Sequence, residues 1–404
     1  MIYWLISASF LCLGFLGHRG VYLAALLAVA LPIGNAYSDY FYRYGLVAYD
    51  YYFFALFYFL FYASLKGREG FLKSNILILL LVLLLYAFIS LADVAFDKYY
   101  LRDFRLIIFV LQVYLLLSVG AADVDFGERR VLLFFLVAAL SSLFFAFAGY
   151  YGFVSFEDVF YEANSFRYFA VSSYVSVVFV LVSRFFSEEV RSSFLYYLVL
   201  IFSFAAIFVT GFRLLLFLVV AIFVLARMRT LGGVVACGLG LLVLAMFLIG
   251  SDGSQLVQRV SSVDGAVIVK DLTSRYSPFF DRVANLSNYE LVFGAGFGSV
   301  FEIPWFAYRE SKDVLNNFVD STYLTLYAKV GIFCLAYLVM VTQSIVALAN
   351  MDSSGVRASV ITFLCGAYLV YCVPYQSAAV GLLFGLFFSR FLAETANPPV
   401  FSGE

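Results

Sequence analysis

Gly294-Ala295-Gly296-Phe297-Gly298 and Asn316-Asn317-Phe318-Val319-Asp320-Ser321-Thr322-Tyr323-Leu324 lie in a polar stretch, Ser251 to about Gly331, whose reading decides the fold. On both sides of it the chain is a succession of apolar runs. Within it Arg259, Lys270, Arg275, Arg282, Arg309 and Lys312 alternate with Asp252, Asp264, Asp271, Asp281, Glu290, Glu302, Glu310 and Asp313. A connection of roughly seventy residues in a compact protein is usually functional or disordered. This one carries too many aromatic and aliphatic residues for disorder, so a folded cap over the apolar helices is expected.

Of the 404 residues, 64% are hydrophobic, 20% aromatic and 13% charged. Soluble domains carry about 25% charged residues, so the expected class is an all-α, polytopic integral membrane protein. Apolar runs fall near 2–17, 21–36, 46–65, 75–92, 104–121, 131–149, 168–186, 193–210, 213–227, 231–250, 321–346, 356–373 and 376–393. Allowing for tilt, they give about 12–13 spans, the first read as uncleaved. The expected organisation is an N-terminal bundle over 1–250, a large loop over 251–319 and C-terminal helices over 320–404. A net charge of −1 without a basic stripe gives no sign of a nucleic-acid partner. His18 is the sole histidine, which nearly excludes histidine catalysis and histidine-rich metal sites. The five cysteines sit in apolar runs without metal-ligand spacing and read as small buried hydrophobes.

Lys/Arg asymmetry orients the chain. One set of loops holds Arg19, Lys66, Arg68, Lys73, Arg129, Arg130, Arg184, Arg191, Arg227, Arg229 and Arg357; the alternate set holds Arg43, Lys98, Arg102, Arg105, Arg167 and Arg213. The richer set should be cytoplasmic. The large loop then lies outside with Arg167, Arg213 and the bend at Tyr371–Gln376, and the C-terminus lies inside.

Several charges have two readings. Arg213 follows the tight break Thr210-Gly211-Phe212. It either snorkels to the interface or enters an outer vestibule, where ionisable groups are functional by default. Arg167 opens the run at 168 on the same side. Arg275 and Arg282, seven residues apart, share a face if their segment is helical; each is either solvated or part of a groove. Converging arginines suit bidentate recognition of phosphate oxygens. Asp320 is placed either as an N-cap or as an acceptor for a substrate hydroxyl proton, with Tyr323 and Tyr327 at i+3 and i+7. The glycine cluster lacks Gly-Lys-Ser/Thr, so it is no P-loop and reads as a turn between loop helices.

Taken in order, these pieces resemble the O-antigen polymerase and O-antigen ligase superfamily of bacterial envelope glycan assembly. Thr210-Gly211-Phe212-Arg213 is similar to its T-G-S-R element, with Phe212 replacing serine. Ser274-Arg275 followed by Phe293-Gly294-Ala295-Gly296-Phe297-Gly298 resembles its loop signature. Asp320-Ser321-Thr322-Tyr323-Leu324 with Lys329-Val330-Gly331 resembles H-N-x-Y-L … x-x-G. Ligases carry histidine where this chain has Asp320, which favours polymerase.

The resemblance implies a GT-C-like, metal-independent, inverting glycosyltransferase of the bacterial inner membrane, with its large loop periplasmic. The implied substrate is a glycan repeat unit on undecaprenyl diphosphate, destined for O-antigen (lipopolysaccharide) or exopolysaccharide, and a chain-length-regulating co-polymerase is an implied partner. No cofactor is expected. Arg213 and Arg275, with Arg167 and Arg282, would hold the diphosphate, and Asp320 would act on the acceptor hydroxyl. Tyr276, Tyr323 and Tyr327 would contact acceptor sugars; outer aromatics such as Trp305 and Tyr308 either stack on sugars or form an interfacial belt. The alternatives are a ligase acting on lipid A core or protein, and a flippase or transporter of lipid-linked oligosaccharide. The last would need polar groups through several spans, of which Asp50 and Gln112 are instances.

Overall fold

A computed structural model describes residues 1–34, 37–67, 75–92, 96–121, 124, 126–153, 168–211, 213–227, 265–303, 314–349 and 354–392. Over these the chain is all-α, with two short antiparallel ribbons. The first half comprises α1 (Ile2–Gly14), α2 (Val21–Ala30), α3 (Ser38–Phe41), α4 (Asp50–Leu65), α5 (Asn75–Ser90), α6 (Lys98–Asp103), α7 (Arg105–Gly120), α8 (Glu128–Tyr150) and α9 (Val171–Val182). Then follow α10 (Glu188–Arg191), α11 (Phe194–Val209), α12 (Arg213–Arg227), α13 (Gly265–Ala284), α14 (Asn288–Phe293), α15 (Thr322–Val330), α16 (Cys334–Ala349), α17 (Ser354–Val370) and α18 (Ala379–Ser389). The ribbons pair β1 (Tyr42–Arg43) with β2 (Leu46–Val47), and β3 (Phe301–Glu302) with β4 (Leu315–Asn316). In the first, Tyr44 and Gly45 both have positive φ, 53° and 81°, the signature of a type I′ hairpin turn.

The long apolar helices follow the apolar runs, with two departures. The run at 104–121 begins a turn and a half earlier, because Asp97 caps α6 by accepting from the Tyr99 and Tyr100 amides. The run at 321–346 is two helices, broken at Gly331 with φ 56°. The run at 231–250 lies outside the described residues. Among the described residues two helical stretches, Lys98–Gly120 and Glu128–Tyr150, are long and apolar enough to cross a membrane, and nine more apolar helices have 10–17 residues.

The core is the pair α9 and α18, in which every residue is buried. Glycine permits their close approach: a Cβ on Gly381 would stand 2.0 Å from the Val171 carbonyl oxygen, and one on Gly385 2.9 Å from Val178 Cβ. Small residues four apart let two helix backbones meet in this way. Around the pair pack α8, α11, α7 and α16, with α1 against α4, and α12 against α17. The C-terminal helices are therefore built into the N-terminal bundle.

The described members of the two loop sets lie at opposite ends. At one end Tyr49 Oη donates to the Ser377 carbonyl (3.0 Å), Arg102 Nη1 to Asn316 Oδ1 (3.2 Å) and the Phe297 amide to Ser90 Oγ (3.2 Å). At the other, Tyr22 Oη donates to the Arg130 carbonyl (3.1 Å) and the Ser187 amide to Glu128 Oε1 (3.1 Å). The described part of the large loop, α13, α14 and the β3–β4 ribbon, caps the first end.

Candidate functional site

The glycine run docks this cap. Gly294, Gly296 and Gly298 all have positive φ (79°, 77° and 88°), a region open to glycine at no steric cost. In that conformation every amide of the run is used. Gly294 N–H donates to the Glu290 carbonyl, Ala295 N–H to Ala328, Gly296 N–H to Lys329, Phe297 N–H to Ser90 Oγ, and Gly298 N–H to Asp103 Oδ2. A Cβ on Gly331 would fall 2.0 Å from the Val292 carbonyl oxygen and 2.6 Å from the Gly294 nitrogen. The two glycine signatures thus interlock as a backbone clasp, and none of these five donors is left for an anion. Before the run, Ser287 and Glu290 cap α14 reciprocally. The Ser287 amide holds the Glu290 carboxyl below its ordinary range.

The clasp sets α13 across the start of α15, and here two residues singled out by sequence meet. Arg275 Nη1 donates to Asp320 Oδ2 at 2.9 Å, with the side chains 32% and 33% exposed. Asp320 is not the helix cap: Ser321 is, its Oγ accepting from the Leu324 amide at 3.4 Å. Ser321 also donates to the Tyr368 carbonyl, and Thr322 Oγ1 to that of Tyr371. The capping task is thus taken, and the Asp320 carboxylate is turned to an arginine instead. Arg282 lies on α13 as the seven-residue spacing requires, but its Nε is enclosed without a hydrogen-bond partner among the described residues.

The three tyrosines expected to meet sugars spend their hydroxyls on main-chain carbonyls. Tyr276 donates to Leu369 (2.6 Å), Tyr323 to Cys365 (3.3 Å) and Tyr327 to Leu291 (2.9 Å). The first two tie α13 and α15 to α17, and the third ties α15 to α14. Burial, helped by the Asp320 carboxylate, pushes the Tyr276 phenol up. Beneath the cap, Tyr371 stacks on Phe169 at 5.6 Å and 6°. The neighbouring Tyr168 amide donates to the Val209 carbonyl. One residue on, Thr210 and Gly211 (φ 63°) turn the chain into α12, which Arg213 opens. That turn therefore lies at the same end of the bundle as the Arg275–Asp320 pair. The Arg213 side chain and all of Arg167, Trp305 and Tyr308 lie outside the described residues.

Two buried charge pairings were not read from the sequence, although Asp50, Gln112, Arg105 and Lys329 had each been named singly. Asp103 and Lys329, both fully buried, pair at 2.6 Å. Asp50 and Arg105 form a second buried ion pair, joined by Gln112 Nε2 (2.9 Å) and the Val47 amide (2.7 Å) on Asp50. Asp50 and Gln112, polar groups within apolar runs, are thus partners of one another. The signal for Asp103 was present, as a carboxylate flanked by Arg102 and Arg105 at the head of an apolar run, yet its partners come from sequence positions about two hundred residues away and spacing cannot join them.

No curated protein matches the chain. The model of a family of unknown function, DUF6369, matches residues 21–131 and 121–397, so that nearly the whole chain is covered, and the chain belongs to that family.

Proposed function

We propose that this chain is a polytopic membrane glycosyltransferase that polymerises lipid-diphosphate-linked glycan repeat units on the membrane face bearing the large loop. The membrane reading is supported by the hydrophobic composition and by helices such as α5, which exposes Leu81, Leu84, Leu85, Phe88 and Ile89; apolar surface on that scale demands a cover. Counted over the short loops, as the positive-inside rule requires, the set on the side of the cap is the poorer in Lys and Arg. That side would be the periplasm of a bacterial inner membrane.

The observation that carries the chemistry is the Arg275–Asp320 pair, half open at the junction of cap and bundle. An acceptor hydroxyl of one repeat unit attacks the anomeric carbon of another. Its oxygen forms the new glycosidic bond and its proton passes to the Asp320 carboxylate. The bond from anomeric carbon to diphosphate oxygen breaks, the oxygen keeps the electron pair, and the configuration inverts. Arg275, with Arg213 and Arg282, stabilises the charge gathering on the leaving diphosphate; fixed cations aimed at developing charge are usually the largest catalytic contribution. Asp320→Asn tests the assignment, because it preserves shape and hydrogen bonding and removes basicity. A general base contributes about 10²–10⁴-fold in rate, so cells carrying this variant at wild-type level should make single repeats or short chains. A wild-type ladder of chain lengths would remove Asp320 from the chemistry.

A further inference from the structure

Asp103 ends α6 with its side chain wholly buried, and it is the meeting point of four separate segments. Its Oδ2 accepts from the Gly298 amide (2.6 Å) and Lys329 Nζ (2.6 Å), and its Oδ1 from Asn317 Nδ2 (2.9 Å) and Tyr375 Oη (2.6 Å). Lys329 Nζ also donates to the Ser299 carbonyl, and Asn317 Nδ2 to that of Tyr99 (2.6 Å). All four groups on Asp103 are donors. A carboxylate, which only accepts, can serve them together, whereas an amide would turn an N–H₂ toward two of them.

We infer that Asp103 is the positioning residue of the site. Asn317 stands three residues before Asp320 and Lys329 nine after it, so one carboxylate holds both ends of the segment that carries the proposed base. Through Gly298 it holds the clasp that sets the cap on α15, and with the cap the helix bearing Arg275. Through Tyr375 it holds the bend before α18. Asp103 touches no substrate in this arrangement. It sets where Asp320 stands relative to Arg275, and a misplacement of about 1 Å at a reacting group can cost about 10²-fold in rate. The inference rests on the role given above to Asp320.

Asp103→Asn alone would strand a buried lysine and is expected to fold poorly, since removing one partner of a buried pair is strongly destabilising. The decisive protein is therefore the double variant Asp103→Asn/Lys329→Met, in which neither charge of this pair remains. Three quantities are read: thermal unfolding in detergent, binding of farnesyl diphosphate to the purified protein, and the chain-length ladder made by cells. The expected result is a single cooperative unfolding transition at a somewhat lower temperature, farnesyl diphosphate affinity within about fivefold of wild type, and elongation reduced by about 10²-fold. Full-length ladders from the double variant would overturn the inference and leave Asp103–Lys329 a purely structural pair. Loss of farnesyl diphosphate binding or of the cooperative unfolding transition would overturn it too, because the defect would then be general and not one of placement. A wild-type ladder from Asp320→Asn would instead remove the underlying reading, whatever the double variant does.

Discussion

Arg275 and Asp320 are paired across 45 positions of sequence, Nη1 to Oδ2 at 2.9 Å, and each is about one third exposed. In the proposed chemistry these two groups serve opposite ends of one reaction, so the ion pair is a resting contact. A diphosphate that takes up Arg275 must compete with the Asp320 carboxylate, and by doing so it releases that carboxylate toward the acceptor hydroxyl. Partly exposed pairs contribute about 0.2–1 kcal/mol. Asp320→Asn should therefore bind farnesyl diphosphate about two- to fivefold more tightly while failing to elongate. Unchanged or weaker binding would show that the pair imposes no such competition.

Arg275→Ala and Arg213→Ala should each cut elongation by about 10²–10³-fold, the range seen when one donor to a developing oxyanion is removed. Arg275→Lys and Arg213→Lys should recover little, since an ammonium keeps the charge but cannot form two parallel hydrogen bonds to phosphate oxygens. Full-length polymer from both alanine variants, at wild-type protein level, would exclude a diphosphate clamp.

Sidedness is tested with single cysteines in a protein whose native cysteines are replaced by alanine. Asn285 lies on the cap and Ser192 at the opposite end of the bundle, and both are exposed. Asn285→Cys should react with a membrane-impermeant maleimide in spheroplasts, and Ser192→Cys only after permeabilisation. The reverse pattern would put the cap in the cytoplasm and end the proposal of an externally acting enzyme.

The clasp predicts unequal costs at two glycines with positive φ. Gly67 has φ 65° with nothing among the described residues within 4 Å of a would-be Cβ, whereas at Gly331, φ 56°, the Cβ would strike main-chain atoms of Val292 and Gly294. Gly67→Ala should cost only the left-handed strain, about 1–2 kcal/mol. Gly331→Ala should cost visibly more and should free the cap, read as faster proteolysis of the loop near Ser287 with the bundle intact. Equal unfolding temperatures for the two variants would remove the clasp.

The sequence by itself determined the helical class and the positions of the long apolar helices among the described residues. The cause is local: an apolar run satisfies its own backbone hydrogen bonds by forming a helix, and breakers such as Thr210-Gly211 and Gly331 show where it stops. Alternating Lys/Arg content likewise separated the two ends, and the loop motifs drew attention to Arg275 and Asp320. Their direct pairing was not legible, because no spacing rule joins residues 45 positions apart on different segments. The cap on α15 went the same way. Asp and Ser both suit an N-cap, and only the path of the chain into the helix gave it to Ser321 and left Asp320 facing an arginine. The glycines were recognised as a turn, but their interlock with Gly331 needed two segments in contact. Lys329 was noticed only within the Lys329-Val330-Gly331 motif, and Asp103 was not singled out. Tertiary structure alone made them a buried hub, because a charge taken from water must collect partners wherever the fold brings donors together.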